Sequence, residues 1–430
     1  MTALRRVVRL GRRAARRIVG SPAVNERSAD SAESFERFRS LSTPALVMGP
    51  TPRHDPARDG DPRVVVLLPH LNVDRMSGGP NTVFQVTARL LRAGIKLRYA
   101  ATTGPLAPDV AGLRDHMQRV TGVEAGLDDV DFVDASARGA ALDVGAEDVL
   151  IATWWRTAQM ANACLQHVRA REFIYFIQDF EPGFYPWSTR SALAEATYNM
   201  PVRALINEPF LRTYLRQART GRFASDTLPA QTFMPAVERA VFARHERSAA
   251  TPRRLVFYAR PRNPRNLFEM GLRVLRDAAA TGVFDGEPWE FLAIGQELPD
   301  LPLSPRHVLR YQPWLRYEDY GALLGSSDVL LSLMLSPHTS YPPLEMAAAG
   351  GLVVTNTYGP KTAAALAAIS PAIHAAAPEV EPLVDELRRA VAAVSTPRSS
   401  PRLALPATWD EALTDALPWL VEQVRELRAA

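Results

Sequence analysis

Two doubly wound α/β domains are the fold class this sequence predicts, and three observations carry that expectation. Short, continuously apolar runs alternate with helical stretches along most of the chain, as strands buried on both faces of a parallel sheet do. The alternation comes in two series, separated by a less regular stretch around 220–250. The chain has 430 residues, too many for one ordinary core.

In the first series, "RVVVLLP" reads as a strand over 63–68 that Pro69 closes. A loop with Gly78 and Gly79 follows; Pro80 suits the first turn of a helix running to about Arg92, and Gly94 its C-terminal cap. "IKLRYAATT" is the next strand, which completes one βαβ unit. Further strands are expected over 149–153, 173–178 and 204–207, with a helix over 156–170. The second series predicts strands over 254–260, 289–295, 329–334 and 352–356, with helices around 265–280, 316–325 and 342–349. Thr408 and Glu411 stand in capping-box spacing and open a terminal helix. The domain reading is therefore a segment 1–20, an irregular arm 21–61, a first domain 62–240, a second domain 241–405, and a terminal helix 406–430 that can cross back to the first domain.

Composition narrows the function classes. The chain is 47% hydrophobic and 22% charged, as a folded soluble protein is. A net charge of +4 does not describe a nucleic-acid coat, and no nucleic-acid partner is expected. The basic residues are nearly all Arg, with Lys only at 96 and 361, which together with abundant Ala and Pro fits a GC-rich genome better than phosphate binding. One cysteine, Cys164, excludes an internal disulfide and a cysteine-based zinc site, and fits a reducing compartment. No run approaches the 18 or so apolar residues of a membrane-crossing helix. Residues 1–20 differ from the rest. Leu4, Val7, Val8, Ile18 and Val19 recur at helical spacing among seven arginines, the pattern of a basic amphipathic helix on an anionic membrane surface, with a solvated basic tail as the alternative.

Ligands of doubly wound folds bind beyond the carboxyl ends of the strands. "ARPRNPRN" ends the strand at 254–260 and places Arg260, Arg262 and Arg265 there; guanidinium forks suit phosphate oxygens. "SPHTSYPPLEMAAAGGLVVTN", residues 336–356, starts a helix beside the same cleft. Free backbone N–H groups and the helix dipole attract anions there. Ser340 can cap, Tyr341 can stack or hydrogen-bond, and Glu345, one turn inside, either accepts from sugar hydroxyls or favours the dipole. Asp179 and Glu181 follow the strand at 173–178 and face the cleft from the other domain. Trp154 and Trp155 follow the strand at 149–153, either as a sugar platform or as core aromatics. No histidine pair has metal-ligand spacing, and Asp129 with Asp131 forms an Asp-x-Asp pattern only within an acidic connector, so no metal site is expected.

The stretch 336–356 resembles the donor-binding segment of GT-B glycosyltransferases, in particular the WsaF-type rhamnosyltransferases of bacterial surface-glycan assembly. "FIQDFEPGFYP" (176–186), "FYARPRNPRN" (257–266) and the Gly78–Gly79 loop are similar to that family's segments in the same order, over roughly 62–425. The resemblance implies two Rossmann-like domains facing a cleft, with a nucleotide-diphosphate sugar, dTDP-rhamnose favoured, on the second and a glycan or lipid-linked acceptor on the first. Donor-binding residues would be Arg260, Arg262, Ser340, Tyr341, Glu345, His338, Gly78 and Gly79. Arg260 would neutralise the diphosphate, the backbone around Ser340 and Tyr341 would hold the same group, and Glu345 would take the nucleotide's sugar hydroxyls. Asp179 or Glu181 would be the catalytic carboxylate, Asp179 preferred, with no metal and no cofactor beyond the donor. The basic helix would keep a cytoplasmic enzyme on the inner face of the membrane. Two positions depart from the broader pattern. Pro337 stands where related retaining enzymes often have a second glutamate, and Trp314 where they often have a lysine, a place Arg262 or Arg316 can fill. A non-catalytic scaffold and a sugar-nucleotide epimerase are the alternatives.

Overall fold

The computed structural model describes residues 49–73, 76, 78–137, 139–245, 251–394 and 403–429. The basic segment 1–20 and the arm up to residue 48 lie outside the described residues. The first described element is a short strand, β1 (Thr51–His54), paired in parallel with β5 (Ala141–Val144). Strand β1 falls in the irregular arm, where sequence shows no period, because three of its four residues are exposed and none is buried.

The first large sheet contains β2 (Val64–Leu68), β3 (Leu97–Ala101), β4 (Asp131–Asp134), β6 (Val149–Ala152), β7 (Phe173–Ile177), β8 (Val202–Asn207) and β9 (Ala230–Phe233). Their order is β4-β3-β2-β6-β7-β8-β9, and every pairing is parallel. All residues of β2, β3, β6 and β7 are buried, which is why these strands read as unbroken apolar runs. The second sheet contains β10 (Arg253–Ala259), β11 (Trp289–Gly295), β12 (Leu301–Pro302), β13 (Val308–Tyr311), β14 (Val329–Leu331), β15 (Leu352–Asn356) and β16 (Ile373–Ala376). Its order is β12-β13-β11-β10-β14-β15-β16, parallel except for the antiparallel edge strand β12. Leu255, Phe257, Leu331 and Val354 pack into a core on one face, and Val256, Leu330 and Val353 into a core on the other, as the two-residue period of a strand requires.

Strand order reverses beside β2 in the first sheet and beside β10 in the second. At such switch points the crossover helices lie on opposite faces of the sheet and leave a crevice at the carboxyl ends. Pro69 and Thr153, just beyond β2 and β6, and Arg260, just beyond β10, all line the cleft between the two sheets.

Several elements differ from the sequence expectation for local reasons. The helix after the glycine loop begins at Gly78 rather than Pro80 and runs to Thr87, then tightens into a 3₁₀ turn (Ala88–Ala93) that Gly94 ends at φ 72°. The helix expected over 156–170 is Trp155–Cys164. Strand β14 stops at Leu331 instead of running to 334. Beyond it the Asn356 side chain pairs with Met334, accepting its N–H at 2.7 Å and donating to its carbonyl at 3.1 Å. An amide side chain thus takes over from the strand ladder and leaves 332–340 free to form a loop at the cleft.

The last segment returns to the first domain. Trp409 at the start of helix Trp409–Ala412, and Leu420, Val424 and Leu427 of helix Ala416–Ala429, belong to the first-domain core. Arg89 holds Asp410 at 2.6 Å, and Arg428 donates to the Pro62 carbonyl at 3.1 Å. Among the described residues no helix is long and apolar enough to cross a membrane. Leu420 is fully buried in this packing. Leu420→Ala should therefore lower unfolding free energy by about 3 kcal/mol, read from urea denaturation, although the residue lies ten positions from the chain end.

Candidate active site

The two rows of strand ends enclose a cleft of about 980 Å³. Polar groups of the first domain, among them Gln178, Asp179, Glu181 and Asn207, face it from strand ends and loops; Arg260, Arg265, His338 and Glu345 face it from the second.

Arg260 leaves β10 at its carboxyl end and lies over the Tyr258 ring, 5.9 Å from its centroid, with Nη1 donating to the Tyr258 hydroxyl at 3.3 Å. Gly295, at φ 116°, makes this path possible: a Cβ there would lie 2.9 Å from the Ala259 carbonyl and 3.0 Å from Arg260 Cγ. Arg262 is elsewhere. It is exposed, its backbone N–H donates to Gln296 Oε1, and it is not among the residues lining the cleft. Trp314 and Arg316 line the rim, Trp314 with 68% of its surface exposed.

Helix Tyr341–Ala348 begins at the cleft as the sequence predicts, but its mouth is not an open row of amides. Pro342 and Pro343 have no N–H. The Ser340 N–H donates to His338 Nδ1 at 2.9 Å, and the Thr339 N–H to Glu208 Oε1 at 2.6 Å. Two of the backbone donors at this mouth, those of Thr339 and Ser340, are thus engaged within the protein. Accepting at Nδ1 leaves the neutral His338 ring with its proton on Nε2, a buried atom without a hydrogen-bond partner among the described residues. Ser340 itself has φ 71° and ψ 150°, a region that glycine alone enters freely, at a cost of roughly 1–3 kcal/mol for other residues.

Tyr341 faces the first domain. Its hydroxyl hydrogen-bonds Thr82 Oγ1 at 2.5 Å and accepts from Asn207 Nδ2 at 3.1 Å. Gly78 allows that approach, since a Cβ would lie 3.1 Å from the Tyr341 ring. Gly79 lies beside Gln178 at ordinary contact distance. Thus Gly78 and Tyr341, both expected to touch donor, touch each other.

Four buried carboxyls have four different settings. Burial opposes ionisation of Asp179, but the Arg265 guanidinium and hydrogen bonds from Ser336 Oγ and the Phe180 N–H outweigh it and hold the carboxyl below its usual range. Both Asp179 oxygens are engaged. Burial pushes Glu181 up to about 8, against hydrogen bonds from the Trp155 N–H and the Tyr175 hydroxyl. Burial likewise raises Glu208, which Thr339 holds. It pushes Glu345 up to about 7, with a single hydrogen bond from the Tyr320 hydroxyl at 2.8 Å. Trp154 lines the cleft whereas Trp155 is fully buried, so the tryptophan pair divides between the two readings. Asp131 is tied to Arg98 at 2.7 Å, and the Asp129 carbonyl accepts from Arg63 at 2.8 Å; neither lines the cleft.

Arg265 lies at the cleft, where the strand-end reading puts it, whereas Ser336, Glu208, Asn207 and Lys361 escape the sequence reading of the site. Glu208 had a usable signal: like Asp179, it stands at the end of a buried strand just before a proline-containing turn, in "ALINEP". Lys361 had none. It lies well past β15 and reaches the loop only through a turn, donating from Nζ to the Met334 and His338 carbonyls at 3.0 and 3.3 Å.

Two Rossmann-like domains around a cleft, with ligand-facing polar groups at both switch points, define a GT-B glycosyltransferase fold. Similar solved structures include an α,α-trehalose 6-phosphate synthase from Burkholderia multivorans (12% identity, TM-score 0.54, 86% of this chain and 96% of that one). Sucrose-phosphate synthase from Thermosynechococcus elongatus is comparable (13% identity, TM-score 0.53, 85% of this chain and 94% of that one). At such identities the likeness is one of fold. Sequence patterns of the WsaF N-terminal and C-terminal domains match residues 63–207 and 253–388, together more than half of the chain. The chain belongs to the WsaF family of GT-B glycosyltransferases. It is also 36% identical over 209 residues to the O-antigen biosynthesis protein RfbC of Myxococcus xanthus, a match spanning 49% of this chain and 15% of that protein.

The raised Glu345 carboxyl has a measurable consequence. Its folded value of about 7 lies above the ordinary 4.5, so the stability it contributes is fully present below pH 4 and is lost as pH rises through 7. Glu345→Gln cannot ionise, so its stability relative to the wild type should rise by up to about 3 kcal/mol between pH 5 and pH 8. Thermal denaturation at the two pH values measures this; a pH-independent difference would contradict the assignment.

Proposed function

We propose that this protein transfers a sugar from a nucleotide diphosphate to a bacterial surface glycan under assembly, with rhamnose from dTDP-rhamnose as the favoured donor and a growing or lipid-linked O-antigen-type chain as acceptor. The observation that carries the reading is the cleft itself, with Arg260 at the switch point of one sheet and the carboxyls Asp179 and Glu181 on the other. Family membership and the O-antigen biosynthesis relative support the substrate class.

In this reading the second domain binds the donor. Arg260, without an acid partner among the described residues, offers its fork to the diphosphate, and His338 Nε2–H is a second donor on the same cleft. Glu345 accepts from the nucleotide's sugar hydroxyls, and Ser340, Tyr341, Gly78 and Gly79 shape the walls. Catalysis comes from holding donor and acceptor together and stabilising the departing diphosphate. Glu181 is the carboxyl that exchanges a proton with the acceptor, because its value near 8 suits transfer close to neutral pH. Asp179, fully engaged by Arg265 and Ser336, orients the neighbouring loops instead. Residues 1–20 hold the enzyme on the inner face of the cytoplasmic membrane, beside a lipid-linked acceptor.

A panel of nucleotide sugars, assayed for diphosphate-nucleotide release with and without glycan acceptor, tests the function. Arg260→Ala should weaken dTDP and UDP binding at least tenfold, measured by calorimetry; unchanged affinity would displace the diphosphate from this position. Glu181→Gln should lower turnover about 10²–10³-fold with donor affinity retained. Donor binding without turnover on any acceptor would favour a scaffold, to which Pro337 and Trp314 would then point.

A further inference from the structure

In each domain one helix starts at a strand end or loop bordering the cleft from a backbone conformation that only glycine adopts freely, and neither position is glycine. Glu208 (φ 94°, ψ 153°) precedes helix Pro209–Gln217 of the first domain, and Ser340 (φ 71°, ψ 150°) precedes helix Tyr341–Ala348 of the second. Such residues persist only where their surroundings over-determine them. Here the surroundings are each other's. Glu208 occupies the N-cap position of its own helix but makes no side-chain cap there. Its two carboxylate oxygens instead accept from the Thr339 N–H at 2.6 Å and the Thr339 Oγ1–H at 2.7 Å, on the other domain. Glu208 is fully buried and Thr339 nearly so. On the opposite side of the same loop, buried Lys361 donates to the Met334 and His338 carbonyls.

We infer that Glu208 is a cross-domain positioning residue that sets the loop 336–340, and with it His338 and the start of helix Tyr341–Ala348, in the geometry that binds the donor. Lys361 ties the loop to its own domain, and Glu208 ties it to the other. The donor-binding wall is therefore completed only when the two domains are in contact. Without the Glu208 carboxylate, the Thr339 amide and hydroxyl lose their partner, and the first domain holds the segment only at its two ends, through Asp179 at Ser336 and through Thr82 and Asn207 at Tyr341. The inference rests on the donor site proposed above, but its structural half can be tested without it.

The experiment uses the full chain and four forms: wild type, Glu208→Ala, Glu208→Gln and Thr339→Val. Calorimetry with dTDP and UDP reads affinity, and small-angle X-ray scattering of the free protein reads the radius of gyration. Glu208→Ala should weaken nucleotide binding about tenfold and enlarge the radius of gyration. Glu208→Gln should rescue both, because its Oε1 still accepts the Thr339 N–H and its amide can donate to Oγ1. Thr339→Val, which keeps shape and removes one of the two bonds, should fall between. A folded Glu208→Ala with wild-type affinity and radius overturns the inference. So does a Glu208→Ala that fails to fold while Thr339→Val behaves as wild type. If the wild type binds neither nucleotide, the donor-site reading fails, and the radius of gyration alone decides whether Glu208 holds the domains together.

Discussion

A buried carboxyl needs hydrogen-bond partners, and in this protein two of the first domain's buried carboxyls, Asp179 and Glu208, find theirs on the second. Asp179 ends beside β7 and meets Arg265 and Ser336; Glu208 ends beside β8 and meets Thr339. These contacts join the two sheets along one seam beside the cleft. Tyr341, bonded to Thr82 and Asn207, extends the same seam with neutral groups. The terminal helix adds a second tie of a different kind, because its apolar face fills the core of the first domain after the chain has built the second.

The seam also explains how residues of one type diverge in chemistry. Asp179 and Glu181 are two positions apart, yet one is held ionised by an arginine while the other is driven toward protonation by burial with only neutral donors. Glu345 lies on the second domain with a tyrosine hydroxyl as its hydrogen-bond donor and titrates near neutrality. Separation of carboxyl pKa values by environment is how a site obtains distinct roles from similar side chains. The division here leaves Asp179 ionised between Arg265 and Ser336, and Glu181 and Glu345 pushed by burial toward protonation.

The departures from the broader GT-B pattern acquire a physical setting. Pro337 is part of a loop whose conformation is fixed by Ser336, Glu208 and Lys361 around it. Trp314 stands on an exposed rim, and the lysine of the second domain, Lys361, is buried behind the loop. Positive charge in the cleft is therefore supplied by arginines, Arg260 foremost, with Gly295 clearing the way for its side chain.

Much of the architecture was legible in the sequence because burial on both faces leaves an unbroken apolar signature. The central strands β2, β6, β7, β8, β10, β11 and β15 show it, as do the glycine loop and the start of helix Tyr341–Ala348. Edge strands such as β1, β4, β12 and β16 are half exposed or very short and carry no such signature. For the site, sequence placed Arg260, Glu181 and Glu345 at the cleft through the strand-end rule, since that rule depends on chain direction alone. What only tertiary structure decided was pairing across the cleft: that Arg265 rather than Arg262 turns inward, that Tyr341 serves the first domain, and that Glu208 and Lys361 grip one loop from two sides. These contacts join residues more than twenty positions apart, and up to 259, through side-chain geometry, and no local periodicity records where a side chain meets a distant partner.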